Sequence, residues 1–133
     1  MSKRPEVIHD NYGVSVGSVV IADATDTVIA TVEVFPWAER LSIEITNSGA
    51  AAFDVFEIQV QVHPDASWHV VASVSADFTS PEFPLLGCSI DMTSQPAAGV
   101  GLLWLDIKGL YAVRFVAQGN AAASASTAYW QQN

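Results

Sequence analysis

The sequence contains little cysteine and little positive charge. Its 133 residues include one cysteine, Cys88, so no disulfide can form within the chain. An oxidising compartment is therefore not required for folding, although the composition does not exclude one. Five basic residues stand against 14 acidic ones, for a net charge of -9. That balance argues against a nucleic-acid partner, because binding the phosphate backbone requires clustered Lys and Arg.

Long apolar segments are also missing from the sequence. No uninterrupted apolar run is long enough to span a bilayer, so we expect no membrane partner. The opening MSKRPEVIHDNYG has a basic start but lacks the apolar stretch that a signal peptide needs. These absences predict a protein that is made in the cytoplasm.

Charge of either sign is scarce, whereas hydrophobic residues are abundant. Half of the residues are hydrophobic and 14% are charged, compared with about a quarter charged in typical globular chains. One interpretation is that surplus apolar surface is covered in an oligomer or against another protein. The other is a large β-sandwich core with Ala and Thr on its outer faces. Composition alone does not choose between them.

Alternation of apolar and polar residues at period two is the main local pattern, and it is typical of antiparallel sheets with one buried face. In LSIEI, residues 41–45, the apolar side chains fall on one face. In VFEIQVQVH, residues 55–63, the face predicted to be buried consists of Phe56, Ile58, Val60 and Val62. The segments predicted as strands are 13–22, 27–35, 41–45, 55–63, 67–75, 85–90, 110–118 and 121–130.

Turn residues separate these segments. Pro64, Asp65 and Ala66 predict a short hairpin connection, and Gly119-Asn120 predicts a second hairpin. Residues 77–101 contain several prolines and glycines and are interpreted as a long connection with one short edge strand. The sequence therefore predicts an all-β fold, an antiparallel β-sandwich or jelly roll of about eight strands. Residues 13–133 are predicted as one domain and residues 1–12 as a flexible N-terminal arm.

Groups that carry chemistry are few. His63, Asp65 and His69 share the hairpin HPDASWH, but a third nitrogen or sulfur ligand is missing, so polar residues at a turn are the better interpretation and no metal is predicted. Cys88 lies in apolar company and is interpreted as a core residue. The sequence has no G-x-S-x-G elbow and no glycine loop that would hold a phosphate. We therefore expect neither an enzyme nor a cofactor, although carboxylates paired in space would escape this reasoning.

The four tryptophans divide into two pairs. Trp68 and Trp104 lie among apolar neighbours and are interpreted as core or interface residues. Trp37 follows Pro36, and Trp130 lies in the segment YWQQN, so both are predicted to be exposed. Because Trp is enriched among interface anchors, both are candidate partner-binding residues.

Two long stretches resemble a known group of proteins. They are RLSIEITNSGAAAFDVFEIQVQVHPDASWHVVA and GLLWLDIKGLYAVRFVAQGNAAASAS, and the likeness covers roughly residues 40–76 and 100–128. Both are similar to small all-β virion proteins of tailed bacteriophages, notably capsid decoration (cement) proteins and related head or tail accessory proteins. The resemblance implies a structural role on the virion, with the major capsid protein and further copies of the chain, often as a homotrimer, as partners.

The same resemblance implies a role for the N-terminal arm. Lys3 and Arg4 would supply basic contacts to an acidic shell surface, whereas a terminus without a specific partner is an equally good interpretation. A carbohydrate- or receptor-binding module of a tail or fibre, acting through Trp37 or Trp130, is the alternative function. Sandwich folds serve both functions, so the fold does not decide between them.

Overall fold

The protein is all-β throughout the residues that the structure, a computed structural model, describes: 12–14, 19–21, 25–47, 53, 55–73, 85–88, 99–119 and 124–133. Within these residues there is no helix, and so none long and apolar enough to cross a membrane. The strands are β1 (Tyr12–Val14), β2 (Val19–Ile21), β3 (Thr27–Glu33), β4 (Arg40–Asn47), β5 (Val55–Gln61), β6 (His69–Ser73), β7 (Leu85–Cys88), β8 (Gly99–Asp106), β9 (Ala112–Gln118), β10 (Ser124–Ser126) and β11 (Ala128–Gln132).

The strands form two antiparallel sheets and one short pair. The five-stranded sheet has the order β1-β11-β4-β8-β7, the four-stranded sheet has the order β3-β9-β5-β6, and β2 pairs with β10. With β2, β7 and β10 set aside, the eight remaining strands fill the two sheets in the order of a jelly roll. The predicted all-β sandwich is therefore confirmed, and β7 confirms the short edge strand predicted within residues 85–90.

One hydrophobic core joins the inner faces of the two sheets. On β4, Leu41, Ile43 and Ile45 are fully buried, as the alternation in LSIEI predicts. The four-stranded sheet contributes Phe56 and Phe115, whose rings stack with centroids 6.2 Å apart. Because both sheets present apolar side chains to the same layer, burial of that layer is what holds them together.

Three predictions about individual segments differ from the structure. Val62, which the alternation predicts to be buried, is 61% exposed, because β5 ends at Gln61 and the chain turns there. The hairpin predicted at Gly119-Asn120 is wrong: β9 pairs with β3 and β5, whereas β10 pairs with β2. The predicted connection over residues 77–101 overlaps β8, which begins at Gly99 and pairs along its whole length with β4.

The turn after β8 requires a left-handed residue. Leu110 N donates to Ile107 O at 3.1 Å, and Gly109 has a φ of 86°. This is the third position of a type II turn, where glycine is favoured because it has no Cβ. The Lys108 backbone N–H also donates to Asp106 Oδ1 at 3.1 Å. The turn therefore fixes the backbone on both sides of Lys108.

Substitution of Gly109 by Ala is expected to lower the free energy of unfolding by about 1–2 kcal/mol, the usual penalty for a Cβ in the left-handed region. Among the described residues, no heavy atom beyond Gly109 and its two chain neighbours lies within 4 Å of a Cβ built at this position, so the loss would come from backbone conformation alone. Urea denaturation measures it. Gly109→Asn should lower the free energy of unfolding less than Gly109→Ala does, because Asn tolerates this conformation better than Ala. An Ala variant as stable as the parent would contradict the proposed turn.

Candidate functional site

An open groove of about 500 Å³ lies at one end of the five-stranded sheet. Its lining combines one aromatic ring with charged and amide side chains. The lining residues are Trp37, Glu39, Arg40, Asp106, Lys108 and Asn133. Because they come from distant parts of the sequence, the sheet register is what brings them together.

Backbone pairing holds the floor of this groove. Arg40 pairs with Asp106 across β4 and β8. On the other side of β4, Arg40 N donates to Asn133 O at 2.8 Å, and Asn133 N donates back to Arg40 O at 2.9 Å. Glu39 N also donates to Asn133 O, and Ile107 N donates to Glu39 O, each at 2.9 Å. The backbone under the lining side chains is therefore fixed by hydrogen bonds on both sides.

Trp37 forms the wall of the groove from the loop between β3 and β4. Ala38 N donates to Phe35 O at 3.0 Å, which closes a turn with Pro36 and Trp37 at its tip. The indole is 54% exposed and rests on Phe35, with ring centroids 5.3 Å apart and planes inclined by 33°. One aromatic ring thus supports the other, and the indole remains open to solvent.

The formal charges of the groove balance. Glu39 and Asp106 supply carboxylates, whereas Arg40 and Lys108 supply cations. Glu39, Arg40 and Lys108 are exposed and Asp106 is half-exposed, so each side chain can exchange its water for a ligand. The groove therefore offers hydrogen-bond donors, acceptors and an aromatic surface, without a strong net charge.

A second surface lies on the outer face of the four-stranded sheet, and we call it the Arg114 face: Glu57, Gln59, Trp68, Val70 and Arg114. Arg114 Nε donates to Gln59 Oε1 at 2.7 Å, and Gln59 Nε2 donates to Glu57 Oε1 at 3.2 Å. The guanidinium carbon lies 4.2 Å from the centre of the Trp68 ring, a cation–π contact. Arg114 is thus held by a hydrogen bond and by an aromatic ring.

The loop between β5 and β6 brings Trp68 to this face. Gln61 Nε2 donates to Ala66 O at 2.8 Å and to Pro64 O at 3.3 Å, and Ala66 N donates to His63 O at 3.0 Å. These bonds confirm the hairpin predicted at residues 64–66, because β5 and β6 pair directly. Val70, which pairs directly with Gln59, is 53% exposed, and the Trp68 ring lies on Arg114 outside the hydrophobic core, so the core interpretation of Trp68 is wrong.

The HPDASWH segment holds no metal site in the part of the chain described. The His63 and Asp65 side chains are exposed, with His63 Nδ1 4.0 Å from Asp65 Oδ2. The same Nδ1 accepts a hydrogen bond from Asp65 N at 3.0 Å. Across the described residues, no group of three or more His, Cys, Asp or Glu side chains could hold a metal ion.

The sequence-predicted partner-binding residues are not brought to one place. Trp37 belongs to the groove, whereas Trp130 on β11 is partly buried and packs against the core. A Cβ at Gly13, the residue opposite on β1, would overlap the Trp130 ring. Lys3 and Arg4 lie outside the described residues, as do the side chain of Cys88 and the arm as far as residue 11.

The pairing of Arg114 with Trp68 is a feature that sequence reasoning missed. A signal is nevertheless present, because Arg114 is the one charged residue in the predicted strand 110–118. A lone cation in an apolar strand needs a partner on the outer face of its sheet. Its partners lie far away in the sequence, with Gln59 placed 55 positions before Arg114. Local patterns could therefore indicate that a partner exists, but could not identify it.

Comparison with known proteins gives one likeness, to the crystal structure of PirA, that supports the fold. No protein-family model and no curated protein matches the sequence. The crystal structure of PirA matches with a TM-score of 0.56 at 16% identity, over 92% of this chain and 94% of that one. The SPBc2 prophage-derived protein YomS matches with a TM-score of 0.46 at 11% identity, over 90% and 95% of the two chains. The K2 cleaved adhesin domain of Lys-gingipain (Kgp) gives 0.43 at 8% identity, over 94% and 89%.

Proposed function

We propose that this protein is a non-catalytic structural protein of a tailed-phage virion, which decorates the outer surface of the capsid by binding the major capsid protein. The observation that supports the proposal is the Arg114 face, a rigid surface built from residue types that anchor protein contacts. The sequence resemblance to decoration proteins supplies the identity of the particle.

The Arg114 face is suited to a protein partner because its main anchors are already ordered. Trp and Arg are enriched among the residues that contribute most to binding at protein interfaces. Here the contact between them, together with the bond from Arg114 to Gln59, fixes the guanidinium before a partner arrives. Little side-chain entropy remains to be lost on binding.

The unused bonding capacity of Arg114 indicates the kind of group that it meets. Its Nε is occupied by Gln59, and among the described residues its two terminal nitrogens have no hydrogen-bond partner. Two parallel N–H groups match the two oxygens of a carboxylate. We therefore expect an acidic side chain of the shell protein to bind there.

The margin of the face favours contact over solvation. Val28 on β3, which pairs with Val116 on β9, and Val70 on β6, which pairs with Gln59, are both exposed on this side of the sheet. Covering such side chains contributes about 25 cal/mol for each Å² of apolar surface removed from water. The same valines offer contacts between copies, so a homotrimer on the shell is part of the proposal.

The test uses capsids of the parent phage that were assembled without this protein. The protein is expected to co-sediment with them at saturable stoichiometry and to raise the temperature at which they rupture. Arg114→Ala should weaken binding roughly 10- to 100-fold, as for the loss of an interface anchor. Arg40→Ala, which removes a cation from the groove instead, should bind like the parent. Light scattering measures how many copies of the protein associate with one another in solution.

Two results would count against the proposal. If the unmodified protein fails to bind the capsids, the decoration role is lost. If Arg114→Ala binds as well as the parent, the role could stand but this face would not carry it. Val70→Asp places a charge on the Arg114 face but removes none of the hydrogen bonds among Arg114, Gln59 and Glu57. Weaker capsid binding by this variant is expected if the face is the contact surface.

A further inference from the structure

We infer that the groove beside Trp37 is a carbohydrate-binding site for a neutral sugar unit. This inference is independent of the decoration role and concerns a different part of the molecule. If both hold, one surface of the protein attaches it to the particle while the groove binds glycans.

The aromatic wall supplies the apolar half of sugar recognition. A pyranose ring presents a face of C–H groups, and such a face packs well on a flat aromatic ring. The indole of Trp37 is 54% exposed and is backed by Phe35 at 5.3 Å, so it is both accessible and supported from below. Aromatic side chains provide this contact area at a small loss of conformational entropy.

The polar lining supplies the other half. Each sugar hydroxyl donates one hydrogen bond and accepts others. Around Trp37 the groove sets acceptors on Glu39 and Asp106, donors on Arg40 and Lys108, and both kinds on the Asn133 amide. Its volume of about 500 Å³ lies within the range of roughly 300–1,000 Å³ found for small-ligand sites.

Charge favours a neutral ligand over an anionic one. The two carboxylates of the lining offset its two cations, and the chain as a whole carries -9. An acidic polysaccharide would therefore be repelled by the protein as it approached. A neutral hexose or N-acetylhexosamine unit meets no such repulsion, and its binding should change little with salt.

The groove is also ordered in advance. Hydrogen bonds among Glu39, Arg40, Ile107 and Asn133 hold the strand ends that carry the lining, and the turn at Lys108 is closed on both sides. A site on fixed backbone loses less entropy when it binds a ligand. Loop flexibility is therefore not needed to form this site.

The experiment is a glycan array with neutral and acidic oligosaccharides, followed by calorimetry with the neutral ligands that bind. We expect saturable binding of at least one neutral oligosaccharide. Trp37→Ala should reduce its affinity roughly tenfold or more, as expected for removal of an anchoring Trp. Tyr129→Ala is the matched control, because Tyr129 is 53% exposed but lies outside the groove, and it should bind like the parent.

The result that overturns the inference is plain. If no neutral glycan binds, or if Trp37→Ala leaves glycan binding unchanged, the groove is not a sugar-binding site. Preference for acidic glycans with steep salt dependence would also overturn it, because the inferred site binds a neutral sugar. Arg114→Ala should bind sugar like the parent, whereas Arg40→Ala should lose sugar binding but retain capsid binding. The glycan site and the decoration role can therefore fail separately.

Discussion

Replacement of Phe56 by Ala is expected to lower the free energy of unfolding by about 3–5 kcal/mol, the largest effect that we expect of a single substitution in this protein. Phe56 is fully buried and its ring lies between those of Phe53, at 6.3 Å, and Phe115, at 6.2 Å. Truncation removes a large apolar surface and leaves a cavity that stacked rings on either side cannot easily fill. Equilibrium denaturation in guanidinium chloride measures the loss.

The controls separate this packing effect from a general loss of apolar character. Phe56→Leu keeps most of the volume and is expected to lose less than Phe56→Ala. Val70→Ala removes methyl groups from an exposed position and should change the stability by about 0.5 kcal/mol or less. A Phe56→Ala variant within about 1 kcal/mol of the parent, far below the usual cost of such a truncation, would mean that the core is not organised around the ring stack.

Where only one face of a strand is apolar, the sequence predicts its orientation well. On β4, Leu41 and Ile43 point into the core, while Glu44 on the opposite face is exposed. This contrast is visible in the sequence because the polar residues alternate with the apolar ones. The same reasoning fails at Val62, since periodicity continues past the residue at which pairing stops.

Strand β8 shows why alternation is not sufficient. Leu103 and Leu105 face the core, but Leu102 and Trp104 on the outer face are apolar too and are half-buried. With no polar residues between them, LLWL carries no period.

Sheet topology is also hidden from local sequence patterns. A Gly-Asn turn specifies a reversal of the chain, and not the sheet that the next strand joins, so the predicted hairpin at Gly119 is wrong.

Only the aromatic part of the groove could be predicted. Pro36 before Trp37 indicates a turn, and a turn carries its side chains toward solvent. The charged lining could not be predicted, because Arg40 and Asp106 meet through the β4–β8 register and Asn133 through backbone bonds to Arg40. These contacts depend on strand order, which local sequence patterns do not indicate.

A buried glutamine links the groove to the rest of the fold. Gln132, on β11 of the five-stranded sheet, is 3% exposed. Its Oε1 accepts a hydrogen bond from Phe35 N at 3.0 Å, and its Nε2 donates to Glu33 O at 2.8 Å. Glu33 is the last residue of β3 in the opposite sheet, and Phe35 lies two residues beyond it in the β3–β4 loop. One side chain therefore joins the two sheets and fixes the loop that carries Trp37.

Replacement of Gln132 by Met, which has a similar shape but cannot make these bonds, is expected to lower the free energy of unfolding by about 1–3 kcal/mol, because two hydrogen bonds to partly buried backbone groups would be lost. Each such bond typically contributes about 0.5–1.5 kcal/mol. Chemical denaturation measures the stability, and hydrogen exchange at the Phe35 amide should become faster. Sugar binding should weaken as well, because the support under Trp37 loosens.

Gln131→Met is the matched control, since Gln131 is the neighbouring residue on β11 but is only half-buried and lies on the other face of the strand. It should leave stability, exchange at Phe35 and sugar binding close to those of the parent. The distinction matters because a general effect of changing β11 would lower stability in both variants. If Gln132→Met were as stable as Gln131→Met, the two bonds would be energetically neutral, and the positioning of Trp37 would depend on its packing against Phe35 instead.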